Sequence, residues 1–586
     1  MRKRRIVFLA LAILFMLFVI MGRLMQLQLF ATEHFSSRNI NLIYESVKQR
    51  SHEILINDGR GDFLDASGQP LSYEEKTVLV LFPFLKNIDW DKASLAEIMR
   101  ISESEISSLI EEADKPFIYG QLTSYEAEQV RTLNIPGVIA ISKEFPSTNN
   151  SAAQLLGLTG ENKDEFQKRY PDKKGNTSMK IGITGLQESF DPFLIPENPS
   201  KLIFHVDGKG APLFGIDVKL TGENNPFYPL RVKTTIERNI QDRLEQLLDY
   251  HNIVNGGALL LNIETNSIIA SASRPTINES APFSDDGTKN KMFEQHIPGS
   301  VFKTVVAAGA IEEELIKDDE VFNCSLDIRG EQAERDLGEL KLDESFSRSC
   351  NLTFAELAKR LQKEDPNMLE KYASELGLIG NISWKKDLFH YENFKQFSHH
   401  QGRIFTEESS RKDLNYVGQT GIGQHEVRVS PLHVANMLAT IARGGEMNAI
   451  KVASEIQYGD GSIMYKFPDI KVKDSKISPS TFMQLQSLLR HVVSDNEGTG
   501  RYFQDLPFEI AGKSGTGETG IFKDEEQLHN KWFAGYFPFK SPKYALVVVN
   551  LGVPINEGGV NLLFADIVNM IYEESHDAVE ASKPIQ

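Results

Sequence analysis

The sequence predicts an α+β protein that is anchored by one N-terminal helix and ends in an antiparallel sheet flanked by helices. Three observations support this fold class. A basic N-terminus precedes an uninterrupted apolar run at residues 6–21. A strand, an amphipathic helix and a β-hairpin follow one another between residues 232 and 272. Two further strand patterns, at residues 532–536 and 544–552, precede a helical pattern at residues 561–572.

Length and composition favour a multidomain globular protein and exclude several classes of function. The chain has 586 residues, of which 41% are hydrophobic and 25% are charged. Its formal net charge of -18 disfavours a general nucleic-acid role. Cys324 and Cys350 are the two cysteines, too few for a disulfide scaffold or a cysteine-built metal site. The histidines lack the H-E-x-x-H spacing. We therefore expect neither a metal nor a cofactor.

The N-terminal apolar run is predicted to cross a membrane. The span is assigned to residues 6–24, and Arg23 near its end can snorkel to the membrane surface. The basic cluster RKRR at residues 2–5 predicts that residues 1–5 are cytoplasmic and that the rest of the chain is extracellular. A cleaved signal peptide is the alternative. The residues after the run are bulky and offer no A-x-A-like cleavage site, which favours an uncleaved signal anchor.

Residues 39–229 are predicted to form one or two α+β subdomains, and we find no catalytic constellation in them. Alternating hydrophobicity predicts a strand at residues 77–82. Helical periodicity recurs at residues 94–100, 104–112 and 125–133. Breaks rich in Gly, Asn and Pro between residues 196 and 226 predict loops towards the end of this region.

Residues 298–303 (PGSVFK) contain the first catalytic candidates, Ser300 and Lys303. On a helix, side chains three residues apart project from one face with Cβ atoms about 5–6 Å apart. A serine hydroxyl needs a base beside it, and a lysine can be that base if desolvation or a cationic neighbour lowers its pKa. The apolar residues 304–311 predict a buried helix. The S-x-x-K pattern is common by chance, so taken alone it indicates only an ordinary surface helix.

The turn at residues 347–351 (SRSCN) supplies a second pair of candidates. Ser349 and Asn351 lie two apart on a turn, so both polar tips can aim at one point. Ser349 can relay a proton between Lys303 and a leaving amine, and Asn351 can hold Lys303 and a substrate amide. A plain helix N-cap is the alternative, because both residue types are preferred there, and the two roles are compatible.

Residues 512–519 (GKSGTGET) predict an edge strand that pairs with an extended peptide, because its glycines allow close backbone approach. Lys513 supplies a positive charge that can bind a carboxylate and lower the pKa of Lys303. Ser514 and Thr516 offer hydroxyl groups. The backbone N–H groups of Ser300 and Thr516 can form an oxyanion hole.

Two nucleotide-binding interpretations fail on spacing. A phosphate-binding loop ending at Lys513 needs a glycine at position 507, which is Pro507. Residues 418–423 (GQTGIG) lack the G-x-G-x-x-G spacing of a dinucleotide loop. This second segment is instead predicted to be a turn that borders the active site.

The three motifs occur in the order S-x-x-K, Ser-x-Asn and K-[ST]-G, which is the signature of penicillin-binding proteins and class A β-lactamases. The chain resembles a class B (monofunctional) penicillin-binding protein, a peptidoglycan D,D-transpeptidase of a Bacillus-like Gram-positive bacterium. VKTTIE at residues 232–237 and WFAGY at residues 532–536 also match the family. RGDFLDASG at residues 60–68 and GITGLQ at residues 182–187 resemble two family boxes, in which Ala66 replaces Arg and Gln187 replaces Glu.

The resemblance implies a domain plan and a reaction. An elongated pedestal domain of the dimerisation type is expected at residues 39–229, a transpeptidase (penicillin-binding) domain at 230–575 and a C-terminal tail at 576–586. The domain would cross-link peptidoglycan through an acyl-enzyme, which β-lactams would form and stall. No segment resembles a glycosyltransferase, which argues against a bifunctional enzyme.

The resemblance also assigns a role to each motif residue. Ser300 is expected to attack the penultimate D-Ala carbonyl of a stem pentapeptide while neutral Lys303 takes its proton. Ser349 would pass a proton to the departing D-Ala. The expected catalytic residues are Ser300, Lys303, Ser349, Asn351 and Lys513, and the expected substrate-binding residues are Ser514, Gly515 and Thr516.

Three other functions compete with that of a transpeptidase. A class A β-lactamase would need an E-x-x-L-N-like loop between Asn351 and Lys513, and we find none. A D,D-carboxypeptidase uses the same acyl-enzyme, and the long pedestal favours the transpeptidase over it. A non-catalytic β-lactam sensor or cell-wall scaffold is disfavoured by the complete motif set.

The expected partners are stem peptides ending in D-Ala-D-Ala, β-lactams, the plasma membrane and a glycosyltransferase of the cell-wall synthesis complex; nucleic acid is not expected. One covalent feature stays open at this point. Cys324 and Cys350 can pair outside the membrane if their Cα atoms lie about 4.4–6.8 Å apart, which the sequence does not decide. Cys350 stands between two candidate site residues, so its side chain is expected to face away from the cleft.

Overall fold

The computed structural model describes residues 2–30, 32–33, 40–147, 151–172, 179–196, 199–207, 219–221 and 227–581. The chain folds as two compact units. The first unit comprises Met1–Gly59, Tyr73–Pro146 and Glu197–Pro226. The second unit comprises Arg60–Ser72, Ser147–Pro196 and Phe227–Gln586.

The helices of the described residues are α1 Arg2–Met25, α2 Leu42–Arg50, α3 Lys92–Met99, α4 Glu103–Glu112, α5 Ser124–Leu133, α6 Ala153–Leu156, α7 Lys163–Arg169, α8 Gly185–Ser189, α9 Asp191–Leu194, α10 Arg238–Tyr250, α11 Lys303–Glu312, α12 Leu342–Ser347, α13 Asn351–Glu364, α14 Met368–Glu375, α15 Glu408–Lys412, α16 Leu414–Gly421, α17 Pro431–Ala442, α18 Pro479–Ser494 and α19 Asn561–Ala581.

The strands are β1 Ser51–Asn57, β2 Asp62–Leu64, β3 Tyr73–Leu81, β4 Phe117–Gln121, β5 Val138–Pro146, β6 Thr159–Glu161, β7 Lys180–Gly182, β8 Ser200–His205, β9 Lys219–Thr221, β10 Arg231–Thr234, β11 Gly256–Asn262, β12 Ser267–Arg274, β13 Phe322–Asn323, β14 Glu339–Leu340, β15 Lys385–Leu388, β16 Tyr391–Lys395, β17 Glu446–Asn448, β18 Ala453–Gln457, β19 Ile463–Lys466, β20 Lys471–Asp474, β21 Ala511–Lys523, β22 Glu526–Phe537 and β23 Tyr544–Val553.

The N-terminal helix has the length and composition of a membrane span. The stretch Lys3–Leu29 has a mean hydropathy of 2.7, and none of its most apolar window is buried. Within the described residues it is the one helix that is both long and apolar enough to cross a membrane. α1 begins at Arg2, so the basic residues of the expected cytoplasmic tail continue the same helix.

The first unit contains two three-stranded antiparallel sheets, with strand orders β4–β3–β5 and β1–β8–β9. Strand β3 alternates between two cores. Leu79 packs among the helices α3 to α5, and Val80 packs with Phe204 of β8. This alternation confirms the predicted strand at residues 77–82, and α3, α4 and α5 confirm the three predicted helices. The predicted breaks between residues 196 and 226 lie largely outside the described residues.

The second unit is organised around a five-stranded antiparallel sheet with the order β12–β11–β23–β22–β21. Both faces of this sheet are covered. Leu260 of β11 packs in the core that contains α10 and α19, and Leu259 and Leu261 pack in the core that contains α11 and α17. Because both faces are buried, β11 has an apolar residue at almost every position. Strand β21 is an edge of this sheet, as the motif at residues 512–519 predicts.

The two family-like boxes of the N-terminal half contact each other in the second unit. The Arg60 guanidinium donates a hydrogen bond to the Gln187 side-chain oxygen at 2.8 Å and forms a buried ion pair with Asp191 at 2.9 Å. Since Asp191 already balances the charge of Arg60, a neutral Gln187 suffices at the position where the family box has Glu.

The domain boundaries that we expected at residues 39, 229 and 575 remain a prediction. Strand β2 pairs in parallel with β10, which joins residues 62–64 to the second unit rather than the first. The C-terminal helix continues to Ala581, beyond the predicted end at residue 572, because residues 573–581 contain neither Pro nor Gly. Residues 576–581 of the expected tail are therefore helical. Residue 39 and residues 582–586 lie outside the described residues.

Candidate active site

Ser300 lies in a single 3₁₀ turn, Gly299–Phe302, that leads directly into α11. The sequence predicted Ser300 and Lys303 on one helix; the turn at Ser300 is tighter, and Lys303 is the first α-helical residue. The backbone N–H of Lys303 donates to the Ser300 carbonyl, which ties the two residues together. All residues from Lys303 to Ala310 are buried, which confirms the predicted core helix.

The turn before Ser300 lies directly against strand β21. Gly299 has a φ of +54°, and a Cβ atom there would lie 2.2 Å from the Thr516 carbonyl oxygen. Likewise, a Cβ atom at Gly515 would lie 2.3 Å from the carbonyl oxygen of Pro298. The glycines of both motifs therefore bring the Ser300 turn and the edge strand into backbone contact.

Lys303 is fully buried and is held by the Ser349–Asn351 turn. Its Nζ lies 2.8 Å from the Ser349 carbonyl oxygen, 3.1 Å from Ser349 Oγ and 2.8 Å from Asn351 Oδ1. Burial, with the positive charges of Lys513 and Arg335 nearby, holds the pKa of Lys303 well below its usual value. A neutral amine can donate its two N–H bonds to the Ser349 carbonyl and Asn351 Oδ1. Its lone pair then remains available to a hydroxyl proton.

The Ser349–Asn351 turn is shaped for this contact rather than for capping. Ser349 adopts a left-handed conformation with φ +65°, which is uncommon for a non-glycine residue. Asn351 is the first residue of α13, and its amide oxygen contacts Lys303. The helix-cap interpretation is wrong for both side chains, because Cys350 occupies the capping position and no side chain caps the helix.

The Cys350 side chain forms a disulfide with Cys324, with Cα atoms 5.9 Å apart. The possibility that the sequence left open is therefore confirmed. Both cysteines are buried, and the bond joins the Ser349–Asn351 turn to the loop between β13 and β14. Lys303 contacts the two residues that flank Cys350, while the cysteine itself bonds to this loop.

Lys513 is also fully buried, on strand β21. Its Nζ lies 3.3 Å from the Ser514 carbonyl oxygen and 5.6 Å from the centre of the Phe346 ring. Burial and the charge of Arg335 lower the pKa of Lys513 to about 7. Ser514 Oγ donates to Thr499 Oγ1 at 2.9 Å, and the Thr499 N–H donates to the Ser347 carbonyl at 3.0 Å.

Three residues that the sequence reasoning missed belong to this site. Thr499 links β21 to the end of α12. Arg335, exposed on the loop that the disulfide fastens, acts on the pKa of both buried lysines. Gln424 forms hydrogen bonds with the backbone of Thr516 and of Glu518 on β21. The sequence offers only weak signals for two of these residues: Gly498 and Gly500 flank Thr499, and Gln424 follows the glycine-rich segment at residues 418–423.

The segment at residues 418–423 borders the site, as predicted, but the prediction of a turn is wrong for residues 418–421, which end helix α16; only residues 422–423 follow the helix. The N–H of Gly299 donates to the Gly423 carbonyl at 3.0 Å, so this turn supports the residue just before Ser300. The Ser300 hydroxyl itself has no hydrogen-bond partner within the described part of the chain. Within those residues we also find no cluster of three or more His, Cys, Asp or Glu side chains that could hold a metal ion.

Comparison with known proteins covers most of the chain. The family model of the penicillin-binding protein transpeptidase domain matches residues 256–561, and that of the penicillin-binding protein dimerisation domain matches residues 55–221. Stage V sporulation protein D of Bacillus subtilis (strain 168) is 24% identical over 565 residues, covering 90% of this chain and 79% of the relative. The peptidoglycan D,D-transpeptidase FtsI of Escherichia coli (strain K12) is 23% identical over 529 residues, covering 84% and 79%.

Solved structures share the fold. A chain from a structure concerning the coordination of polymerization and crosslinking by a peptidoglycan synthase complex has a TM-score of 0.64 at 21% identity, and the match covers 97% of each chain. Penicillin-binding protein 2B of Streptococcus pneumoniae (strain R6) has a TM-score of 0.58 at 17% identity, and the match covers 91% of this chain and 100% of that one.

Proposed function

The chain belongs to the class B penicillin-binding proteins, in which a dimerisation domain accompanies a transpeptidase domain, and we propose that Ser300 is the nucleophile of its peptidoglycan D,D-transpeptidase reaction. The enzyme cross-links peptidoglycan and is membrane-anchored. Its substrate is the D-Ala-D-Ala end of a stem peptide, and β-lactams react at the same serine.

The state of Lys303 carries this proposal. Burial and the positive charges of Lys513 and Arg335 hold the pKa of Lys303 well below its usual value, which favours the neutral amine. A neutral amine can act as a base. The Ser300 oxygen attacks the penultimate D-Ala carbonyl and its proton passes to Lys303. Among the described residues the Ser300 hydroxyl has no hydrogen-bond partner, and such catalytic bonds often tighten only when substrate binds.

Ser349 returns the proton to the leaving group. Its hydroxyl lies 3.1 Å from Lys303 Nζ, so it can accept a proton from the ammonium while giving its own to the D-Ala nitrogen. The C–N bond breaks, free D-Ala leaves, and an ester between Ser300 and the donor peptide remains. The amine of a second stem peptide then attacks this ester, forms the cross-link and restores the Ser300 hydroxyl.

Strand β21 binds the substrate and stabilises its charge. The N–H groups of Ser300 and Thr516 hold the oxyanion, since Gly299 brings the two backbones into contact. Lys513, Ser514 and Thr516 bind the terminal carboxylate, and Gly515 allows the close approach. The pKa of about 7 leaves Lys513 partly protonated at neutral pH, and a bound carboxylate favours its charged form.

The membrane topology and the protein partners extend the proposal. The basic residues before the span favour a cytoplasmic N-terminus, and hence a catalytic domain outside the cell. One structural relative is a chain of a peptidoglycan synthase complex, which supports a glycosyltransferase as partner. A D,D-carboxypeptidase and a non-catalytic scaffold are the remaining alternatives.

Labelling with a fluorescent penicillin tests the nucleophile. The full chain in detergent is expected to form one stable adduct that peptide mapping places on Ser300. Ser300→Ala should lose it, whereas the exposed Ser280→Ala should keep it. Rapid release of hydrolysed drug would indicate a β-lactamase instead. No adduct on the folded protein would leave only the scaffold function.

A stem pentapeptide with an added acceptor amine tests the second half-reaction. Cross-linked dimer and free D-Ala are the products expected of a transpeptidase. Free tetrapeptide and D-Ala, without dimer, would identify a D,D-carboxypeptidase. Both products should disappear in Ser300→Ala, because the two activities share the acyl-enzyme.

A further inference from the structure

On the outer edge of strand β21, close to Ser300, the backbone already forms hydrogen bonds with the Gln424 side chain. Gln424 Nε2 donates a hydrogen bond to the Thr516 carbonyl at 3.0 Å, and Gln424 Oε1 accepts one from the Glu518 N–H at 2.9 Å. A carbonyl of one residue and the N–H two residues on are the groups that a neighbouring strand engages in a parallel pair. The Gln424 amide therefore offers β21 the N–H and C=O that one residue of an added parallel strand would offer.

Gln424 can move without disturbing the Ser300 turn. It follows Gly423, whose carbonyl accepts the Gly299 N–H and whose missing Cβ would lie 1.9 Å from the Gly299 carbonyl oxygen. The Gln424 N–H donates to the Gln419 carbonyl at 3.0 Å, which fixes the backbone of this loop. The side chain is half-buried and has its own rotatable bonds, so it alone needs to leave β21.

The Thr516 carbonyl, to which Gln424 donates, is a group that a bound acyl donor would also use. In an extended strand the N–H and C=O of one residue point to the same side. If the Thr516 N–H holds the oxyanion, as proposed above, the Thr516 carbonyl faces the same bound peptide. A donor with an amide N–H beside its reacting carbonyl would present that N–H to this oxygen, where Gln424 Nε2 now donates.

We propose that Gln424 is a specificity-determining gate, which covers the peptide-binding edge of β21 and yields to acyl donors that bring an amide N–H of their own. Such donors replace the lost hydrogen bond with theirs. Donors without the amide leave the Gln424 contact in place. The inference rests on the proposed function, because it assumes acylation at Ser300.

Two penicillins that differ in this amide separate the outcomes. Benzylpenicillin carries an acylated amino group at C6, and penicillanic acid has no nitrogen there and hence no N–H to donate. We would measure the second-order acylation rate of each with the full chain in detergent, for wild type, Gln424→Ala and Gln424→Met. Met keeps the length of the side chain but lacks both hydrogen-bonding groups. Thermal melting of each variant would establish that it is folded.

The gate predicts that both variants react about fivefold faster with benzylpenicillin, the effect of removing one or two competing hydrogen bonds, and at an unchanged rate with penicillanic acid. Equal slowing of both drugs would show that Gln424 supports the strand instead, and would overturn the gate. Unchanged rates, or equal acceleration of both drugs, would overturn it too. If wild type forms no adduct on Ser300 with either drug, the proposed function itself has failed.

Discussion

Lys303 Nζ lies 2.8 Å from the Asn351 side-chain oxygen, a contact that joins residues 48 positions apart in the sequence. The amide oxygen accepts a hydrogen bond but carries no charge. It therefore satisfies the lysine without drawing it towards the ammonium form, as a carboxylate at the same place would. An uncharged amide at residue 351 therefore allows the buried Lys303 to stay neutral.

Asn351→Asp should move the acid limb of the acylation rate to higher pH. A carboxylate in contact with Lys303 favours the ammonium, so the pKa of Lys303 rises and the neutral base is lost at a higher pH. Each unit of that rise lowers the rate below the limb about tenfold. We would measure the second-order rate of acylation by benzylpenicillin between pH 5 and 9.

Asn351→Ala is the matched control for this prediction. It removes the hydrogen bond without adding a charge, so the acid limb should not move upward. If the aspartate variant is slower at every pH and its acid limb stays in place, then Asn351 acts on the substrate rather than on Lys303.

Arg335→Ala should shift the pH profile of acylation upward as a whole. The charge of Arg335 helps to lower the pKa of Lys303 and that of Lys513, which is about 7. Without it both values rise. The acid limb, where Lys303 gains a proton, and the alkaline limb, where Lys513 loses one, both move to higher pH. Titrating the acylation rate from pH 5 to 10 checks this.

Arg329→Ala provides the comparison for Arg335, because this exposed arginine lies on the same loop and acts on neither lysine. Its profile should match wild type. If both variants shift equally, the effect comes from the net charge of the loop and the specific role of Arg335 is refuted.

The local features of the fold and site were predictable because their causes lie close together in the sequence. The apolar run after Lys303 predicts a buried helix, and the alternation at residues 77–82 predicts a strand. The glycines of residues 512–519 indicate a close backbone approach, although not that of the Ser300 turn. Each of these depends on the residues of one segment and their spacing.

The features that escaped prediction depend on contacts between distant segments. Thr499 and Gln424 have no motif of their own, and their roles follow from bonds to Ser514, 15 residues away, and Thr516, 92 residues away. The disulfide depends on a Cα distance that spacing alone does not fix. Likewise Arg60 and Gln187, 127 residues apart, belong to one buried network whose chemistry explains why Gln is accepted.

The disulfide should stabilise the second unit. Closing a loop between residues 26 apart removes conformational entropy from the unfolded chain, an effect of about 3–4 kcal/mol in the loop-entropy model. Replacing both Cys324 and Cys350 by Ala should lower the free energy of unfolding by about that amount. Denaturant unfolding of both proteins with and without reductant measures it.

Reductant should lower the unfolding midpoint of wild type towards that of the double variant and leave the double variant unchanged. Equal midpoints for the oxidised wild type and the double variant would contradict a stabilising role. In that case the bond would serve only to connect the Ser349–Asn351 turn to its neighbouring loop.

Gly515→Ala should separate the edge strand from the Ser300 turn. The added Cβ would lie 2.3 Å from the Pro298 carbonyl oxygen and 2.9 Å from Val301 Cγ2, so one backbone must shift. The backbone of Gly515 has no positive φ, so the effect is steric and involves no conformational strain. A shift of about 1 Å between the N–H groups of Ser300 and Thr516 should lower the acylation rate about 100-fold.

Gly559→Ala serves as the control for this steric effect, because a Cβ atom there meets nothing within 4 Å and its φ is not positive. It should acylate and melt like wild type. The rate of acylation by benzylpenicillin and the melting temperature would be compared for all three proteins. A wild-type rate in a folded Gly515→Ala protein would mean that the strand can move without loss of catalysis. The contact between Gly515 and the Ser300 turn would then not set the geometry of the oxyanion hole.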